Sequence, residues 1–177
     1  SRHGDIFIAE GGAHQIRKLD VAQGVVTRVA GNHIFQTNGL VNPSPHPATE
    51  QALGRPESIA LGHDEEDLYI TCRNNNVVRH LDLQTSIVRS IACDQSRPEG
   101  FSELDSGGPA LDALCAFPTG LVVNSDDELF FTDQNNNLIR KLVSDDDGVF
   151  SIEDVIGGGT GVEQFDILDS AVLLPIL

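Results

Sequence analysis

An all-β fold made of β-propeller blades, each a sheet of four antiparallel strands, is what the sequence predicts, on three observations. A motif of hydrophobic strand, polar turn and Arg-bearing strand occurs three times, at offsets of 62 (6 to 68) and 61 (68 to 129). A second marker keeps the same register: Pro47-Ala48 precedes Pro56 by nine residues, as Pro109-Ala110 precedes Pro118. No unit contains a ten-residue stretch with helical periodicity, which excludes a helical solenoid. Units of this kind, too small to bury both faces alone, pack side by side around an axis.

The first copy runs from Ile6-Phe7-Ile8-Ala9-Glu10 to Ile16-Arg17-Lys18-Leu19 and supplies only the last three strands of a blade. In the second, strands are expected at 58–62, 67–72, 77–83 and 86–93, where β-branched and aromatic residues concentrate. The turn Arg73-Asn74-Asn75-Asn76 between the middle two suits Asn, which tolerates a left-handed backbone. The third copy repeats the pattern at 120–124, 128–133, 138–143 and 148–156. Long connections at 31–57, 94–119 and 158–175 separate the units, with short helical turns expected at 47–53 and 109–115 behind a Pro suited to a first turn. The expected organisation is one propeller segment, divided at 1–57, 58–119 and 120–177.

Composition narrows the function classes. The chain has 177 residues, with 11 Lys+Arg against 27 Asp+Glu, a net charge of −16. That balance argues against nucleic acid, whose binding begins with cations neutralising phosphates. No apolar run approaches the ~18–20 residues of a membrane span. The chain has no Met, so Ser1 is expected to lie inside a longer protein. Cys72, Cys93 and Cys115 are odd in number and widely spaced, and are expected to be three buried thiols, which favours a reducing, cytoplasmic setting.

The strand, the Asn-rich turn and the following Ile-Arg-Lys resemble the NHL-repeat β-propeller family. Asp133-Gln134-Asn135-Asn136-Asn137-Leu138-Ile139-Arg140-Lys141 is the nearest copy, and 108–120 resembles the connection between such repeats. The resemblance covers essentially the whole chain. It implies a propeller and a choice of roles, because the family includes protein-interaction scaffolds, RNA binders and a peptide-amidating lyase. The chain departs from the pattern at His14-Gln15-Ile16, Asn76-Val77-Val78 and Asn137-Leu138-Ile139, where no His stands in the middle. Cys72 also replaces the acidic residue held by Glu10 and Asp133.

Candidate chemistry is sparse. Arg17, Arg79 and Arg140 recur once per unit and are read as structural, each with its head on a carboxylate or carbonyl. The six His fall at mostly unlike repeat positions, so no metal site is expected, and the acidic clusters 64–67, 126–128 and 145–147 fall in turns. Gly157-Gly158-Gly159-Thr160-Gly161 lacks the Lys of a phosphate loop. No catalytic set and no cofactor emerge.

Propellers bind ligands on loops held at the ends of the axis. Here one end gathers the turns 11–14, 73–76 and 134–137 with the long connections. His14, Arg73, Asn75, Gln134, Asn136, Phe101 and Asp105 are the partner-binding candidates on it. The expected role is a non-catalytic module for a protein or peptide, basic to suit the acidic chain. A metal-dependent lyase or hydrolase on the same scaffold is the alternative. Three blades are half of a six-bladed ring. Two uncovered blade faces, at about 500 Å² each, would forgo about 12 kcal/mol apiece at 25 cal/mol/Å². Further blades or a homodimer are therefore expected to close the ring.

Overall fold

Twelve β-strands and four short 3-10 turns make up a computed structural model of the chain, which describes residues 1, 4–34, 45–93, 107–145 and 147–157. Blade 1 is the meander β1 (Ile6–Glu10), β2 (Gln15–Asp20) and β3 (Val25–Ala30). Blade 2 contains β4 (His46–Pro47), β5 (Pro56–Leu61), β6 (Asp67–Cys72), β7 (Val77–Asp82) and β8 (Ile87–Ala92), ordered β4-β8-β7-β6-β5. Blade 3 is β9 (Pro118–Val123), β10 (Leu129–Asp133), β11 (Leu138–Ser144) and β12 (Phe150–Gly157), ordered β12-β11-β10-β9. All pairings are antiparallel, and the β10–β11 register matches that of β1–β2: Leu129↔Leu142 and Phe131↔Arg140 answer Ile6↔Leu19 and Ile8↔Arg17.

The fold therefore agrees with the repeat, with two adjustments. Blade 2 has a fifth, two-residue strand, because His46 and Pro47 pair with Val88 and Ile87 along its outer edge. A Pro is tolerated there because an edge strand can spare its N–H. Pro109 bridges Ser151 at the corresponding edge of blade 3. Behind each Pro comes a fully buried Ala, Ala48 or Ala110, whose carbonyl accepts the N–H of Gly31 or Cys93. The Pro-Ala marker is thus an edge stop followed by a residue small enough for the blade junction. The helical turn expected at 109–115 is the 3-10 turn Ala110–Asp112, whereas Pro47 is followed by a turn without helix.

Hydrophobic residues concentrate between blades. One cluster joins blades 1 and 2 through Ile16, Leu53, Leu68, Ile70 and Leu81. The other joins blades 2 and 3 through Val78, Ile91, Leu129, Phe131 and Ile152. Outward faces contrast with these: Ile6 is 52% exposed, while its repeat equivalents Leu68 and Leu129 are 1% and 2% exposed. Val122, Val155 and Ile156 are likewise exposed on blade 3.

Candidate functional site

The turns of all three blades close with one residue in the left-handed conformation: His14, Asn76 and Asn137, at φ 55°, 50° and 55°. Left-handed backbone costs a side chain about 1–2 kcal/mol, least for Asn, whose short amide can bond locally. The side chains here reach across to the next blade instead. His14 Nδ1 accepts the N–H of Arg55 (3.1 Å), and Asn76 Oδ1 accepts that of Phe117 (2.9 Å). Arg55 and Phe117 are themselves left-handed and stand just before the inner strands β5 and β9. Each junction is latched by the same bond. Gly31 follows β3 and Gly157 ends β12, opposite these turns, at φ 90° and 108°, where a Cβ would lie 2.3 Å from the His14 carbonyl oxygen and 1.9 Å from that of Asn137.

A cleft of about 560 Å³ opens at this end between blades 1 and 2. Ala9, Gly11, Gly12, His14, Arg55, Pro56, Glu57 and Asn74 line it. Arg55 Nε donates to Glu57 Oε2 at 3.0 Å, so a guanidinium and a carboxylate stand side by side in the opening. With Nδ1 accepting, neutral His14 carries its proton on Nε2. At the equivalent place between blades 2 and 3, Arg73 stands for Gly11 and Phe117 for Arg55. There the guanidinium carbon lies 4.5 Å from the ring centroid, and the pair stacks within the protein.

The repeated arginines lie in the blades below. In blade 1, Arg17 Nε donates to Glu10 Oε1 at 2.9 Å, and the bonds from Arg17 and Gln15 hold the Glu10 carboxyl below its usual range. In blade 3, Arg140 is fully buried between Asp133 (3.4 Å) and Asp154 (3.1 Å) and also donates to the Leu114 carbonyl. Burial raises the Asp133 carboxyl despite bonds from the Ala116 N–H and the Asn136 amide. Blade 2 departs from the expected carboxylate or carbonyl partner. Arg79 is fully buried, yet Cys72 stands where Asp133 stands, and Ser90 where Asp154 stands. Burial pushes the Cys72 thiol up to about 11, against the pull of the guanidinium.

The cysteines also require a correction. Only Cys72 is a free thiol; Cys93 and Cys115 form a disulfide. Their spacing of 22 residues concealed this, because it spans a connection whose two ends return to the same junction. The preference for a reducing compartment, which rested on three free thiols, no longer stands.

Two further histidines serve as local ties. His63 Nε2 meets the Asn124 carbonyl at 2.6 Å, and His80 bridges Asp67 and Arg89. In the acidic turns, Asp64 and Asp145 accept backbone N–H bonds from their own turns. Among the described residues, no group of three or more His, Cys, Asp or Glu is placed to hold a metal.

Of the partner-binding candidates, His14 lines the cleft and Gln134 is exposed on the same face. Arg73 is engaged by Phe117, and Asn136 is turned onto Asp133 and the Leu114 carbonyl. Asn75 is only 3% exposed and packs against Gly54, so it faces inward. Phe101 and Asp105 lie outside the described residues. Sequence reasoning missed Arg55, Glu57 and Gly12. Aligning the copies would have flagged Arg55 and Gly12, since Arg55 aligns with Phe117 and Gly12 with Asn74.

No protein-family model matches the chain. It is 32% identical over 139 residues to Protein SUPPRESSOR OF QUENCHING 1, chloroplastic, of Arabidopsis thaliana, a match that covers 77% of this chain and 13% of that protein. A structure of a Bacteroides thetaiotaomicron protein of unknown function superposes with a TM-score of 0.63 at 15% identity, over 84% of this chain and 32% of the other. A streptogramin B lyase superposes with a TM-score of 0.52 at 22% identity, over 87% and 37%. The likeness to these solved structures shows a propeller-like fold, and the chain spans about a third of each solved chain and 13% of the plant protein.

Proposed function

We propose that the chain is part of an NHL-type propeller and acts as a non-catalytic interaction module, binding a protein or peptide at the end of the blades that carries the latched turns. The observation that carries this reading is the cleft of about 560 Å³ beside His14, Arg55, Glu57 and Asn74. Its counterpart at the next junction is occupied by the protein's own Arg73 and Phe117. A net charge of −16 favours a basic peptide and a fast, salt-sensitive encounter. The exposed faces marked by Ile6 on blade 1 and Val122 on blade 3 belong against further blades, of a longer chain or of a second copy.

The test uses peptides selected by phage display on the wild-type chain and measured by fluorescence anisotropy. Gly12→Trp should weaken binding at least tenfold, because Gly12 lines the cleft and a Cβ there meets nothing within 4 Å, which leaves room for the ring to occupy the opening. Gln84→Trp, in the turn at the other end of blade 2, should leave affinity within twofold. Binding should also weaken as salt rises from 50 to 300 mM. Equal affinity in wild type and Gly12→Trp would overturn the reading.

A further inference from the structure

The core of blade 2 holds a cation for which no counter-charge is placed among the described residues. Arg79 is fully buried, and among the described residues its Nε, Nη1 and Nη2 find no hydrogen-bond partner apart from the Cys72 thiol. Arg140, at the same repeat position, shares its site with the carboxylates of Asp133 and Asp154. The strand registers make the replacements unambiguous. Arg79 pairs with Ser90 as Arg140 pairs with Asp154, and Cys72 closes β6 as Asp133 closes β10. Both replacements remove a negative charge, and each side chain is two heavy atoms smaller than aspartate. A guanidinium does not surrender its proton in a protein, and an uncompensated buried charge is strongly destabilising. The thiol cannot supply the balance at neutral pH, being held protonated by its burial. The smaller side chains of Cys72 and Ser90 leave room only for a compact ion, and a single negative charge balances the one guanidinium.

We propose that Arg79, with Cys72 and Ser90, forms an internal binding site for a small monovalent inorganic anion of the chloride type, which takes the place of the aspartates of blade 3. The site is a stability element inside blade 2 and is independent of the cleft.

The experiment is thermal unfolding of the full chain, followed by circular dichroism, as chloride replaces gluconate at constant ionic strength from 1 to 300 mM. A ligand bound only by the folded state raises the midpoint with the logarithm of its concentration, so a rise of about 5 °C is expected across this range. Cys72→Asp supplies the carboxylate from within the chain and should make the midpoint independent of chloride. Arg79→Met removes the cation and should do the same. A bromide-soaked crystal should give an anomalous peak within hydrogen-bond distance of the Arg79 guanidinium, a readout that does not depend on either variant folding. A wild-type midpoint indifferent to chloride, a Cys72→Asp variant that responds as strongly as wild type, or no bromide at Arg79 would each overturn the proposal.

Discussion

Where blade 1 meets blade 2, an imidazole latches the incoming strand, and a polar cleft opens beside it. Where blade 2 meets blade 3, an amide makes the same latch, Arg73 covers Phe117, and a disulfide joins Cys93 to Cys115. Both junctions bury a continuous apolar cluster, so hydrophobic packing alone does not distinguish them. The difference lies in the groups around the latch. Glycines and an outward Arg leave room at the first junction, and large side chains and a covalent staple close the second. A repeat can therefore keep its backbone plan and assign binding to one junction and rigidity to another.

The staple is the place to break this comparison with the largest effect. Closing a loop of 22 residues restricts the unfolded chain by about 3 kcal/mol. Cys93→Ala with Cys115→Ala should lower stability by about that amount in urea unfolding. Reductant should bring the wild type to the level of the double variant and leave the variant unchanged. A double variant as stable as the oxidised wild type would mean that the second junction owes nothing to its disulfide.

The latches come next. Asn76→Ala removes the acceptor of the Phe117 N–H and puts a residue less tolerant of left-handed backbone than Asn at φ 50°, a combined cost of about 2 kcal/mol. Asn76→Gly relieves the backbone and loses only the bond, about 1 kcal/mol. His14→Asn installs at the first junction the residue used at the second and should change stability by at most about 0.5 kcal/mol. If His14→Asn costs as much as Asn76→Ala, the two latches are not equivalent. Urea midpoints of the four proteins decide it.

The strands were legible because the copies repeat at constant offset and concentrate β-branched and aromatic residues. The latch was only half legible. Asn-rich turns announced left-handed backbone, but nothing in one copy tells that the side chain of Asn76 crosses to Phe117, 41 residues on. Asn75 shows the limit of reading a turn as surface, since neighbours in a polar run face opposite ways once Gly54 draws one inward. The disulfide was hidden for a related reason: spacing measures distance along the chain, and Cys93 and Cys115 are neighbours in the fold, where the Ala110 carbonyl also accepts the Cys93 N–H. Cys72 was visible as a departure from the acidic pattern, but its consequence for Arg79 depended on Ser90 across the sheet.

The smallest expected effect concerns acid, because two equivalent carboxyls in blades 1 and 3 oppose each other. Glu10 is held below its usual value by Arg17 and Gln15, so its contribution is present above the unfolded value near 4.5 and is lost as pH falls through the lowered one. Asp133 is raised by burial, so its contribution is complete below the unfolded value near 3.8 and is lost as pH rises through the raised one. Between pH 3 and 6 the first favours the higher pH and the second the lower, and they partly cancel in the wild type. Removing one at a time separates them in melting curves recorded across that range. Glu10→Gln should lose less stability on acidification than wild type, and Asp133→Asn should lose more, whatever each does to stability at neutral pH. Shifts of the same sign in the two variants would mean that the partly exposed and the buried arginine pair are not electrostatic opposites.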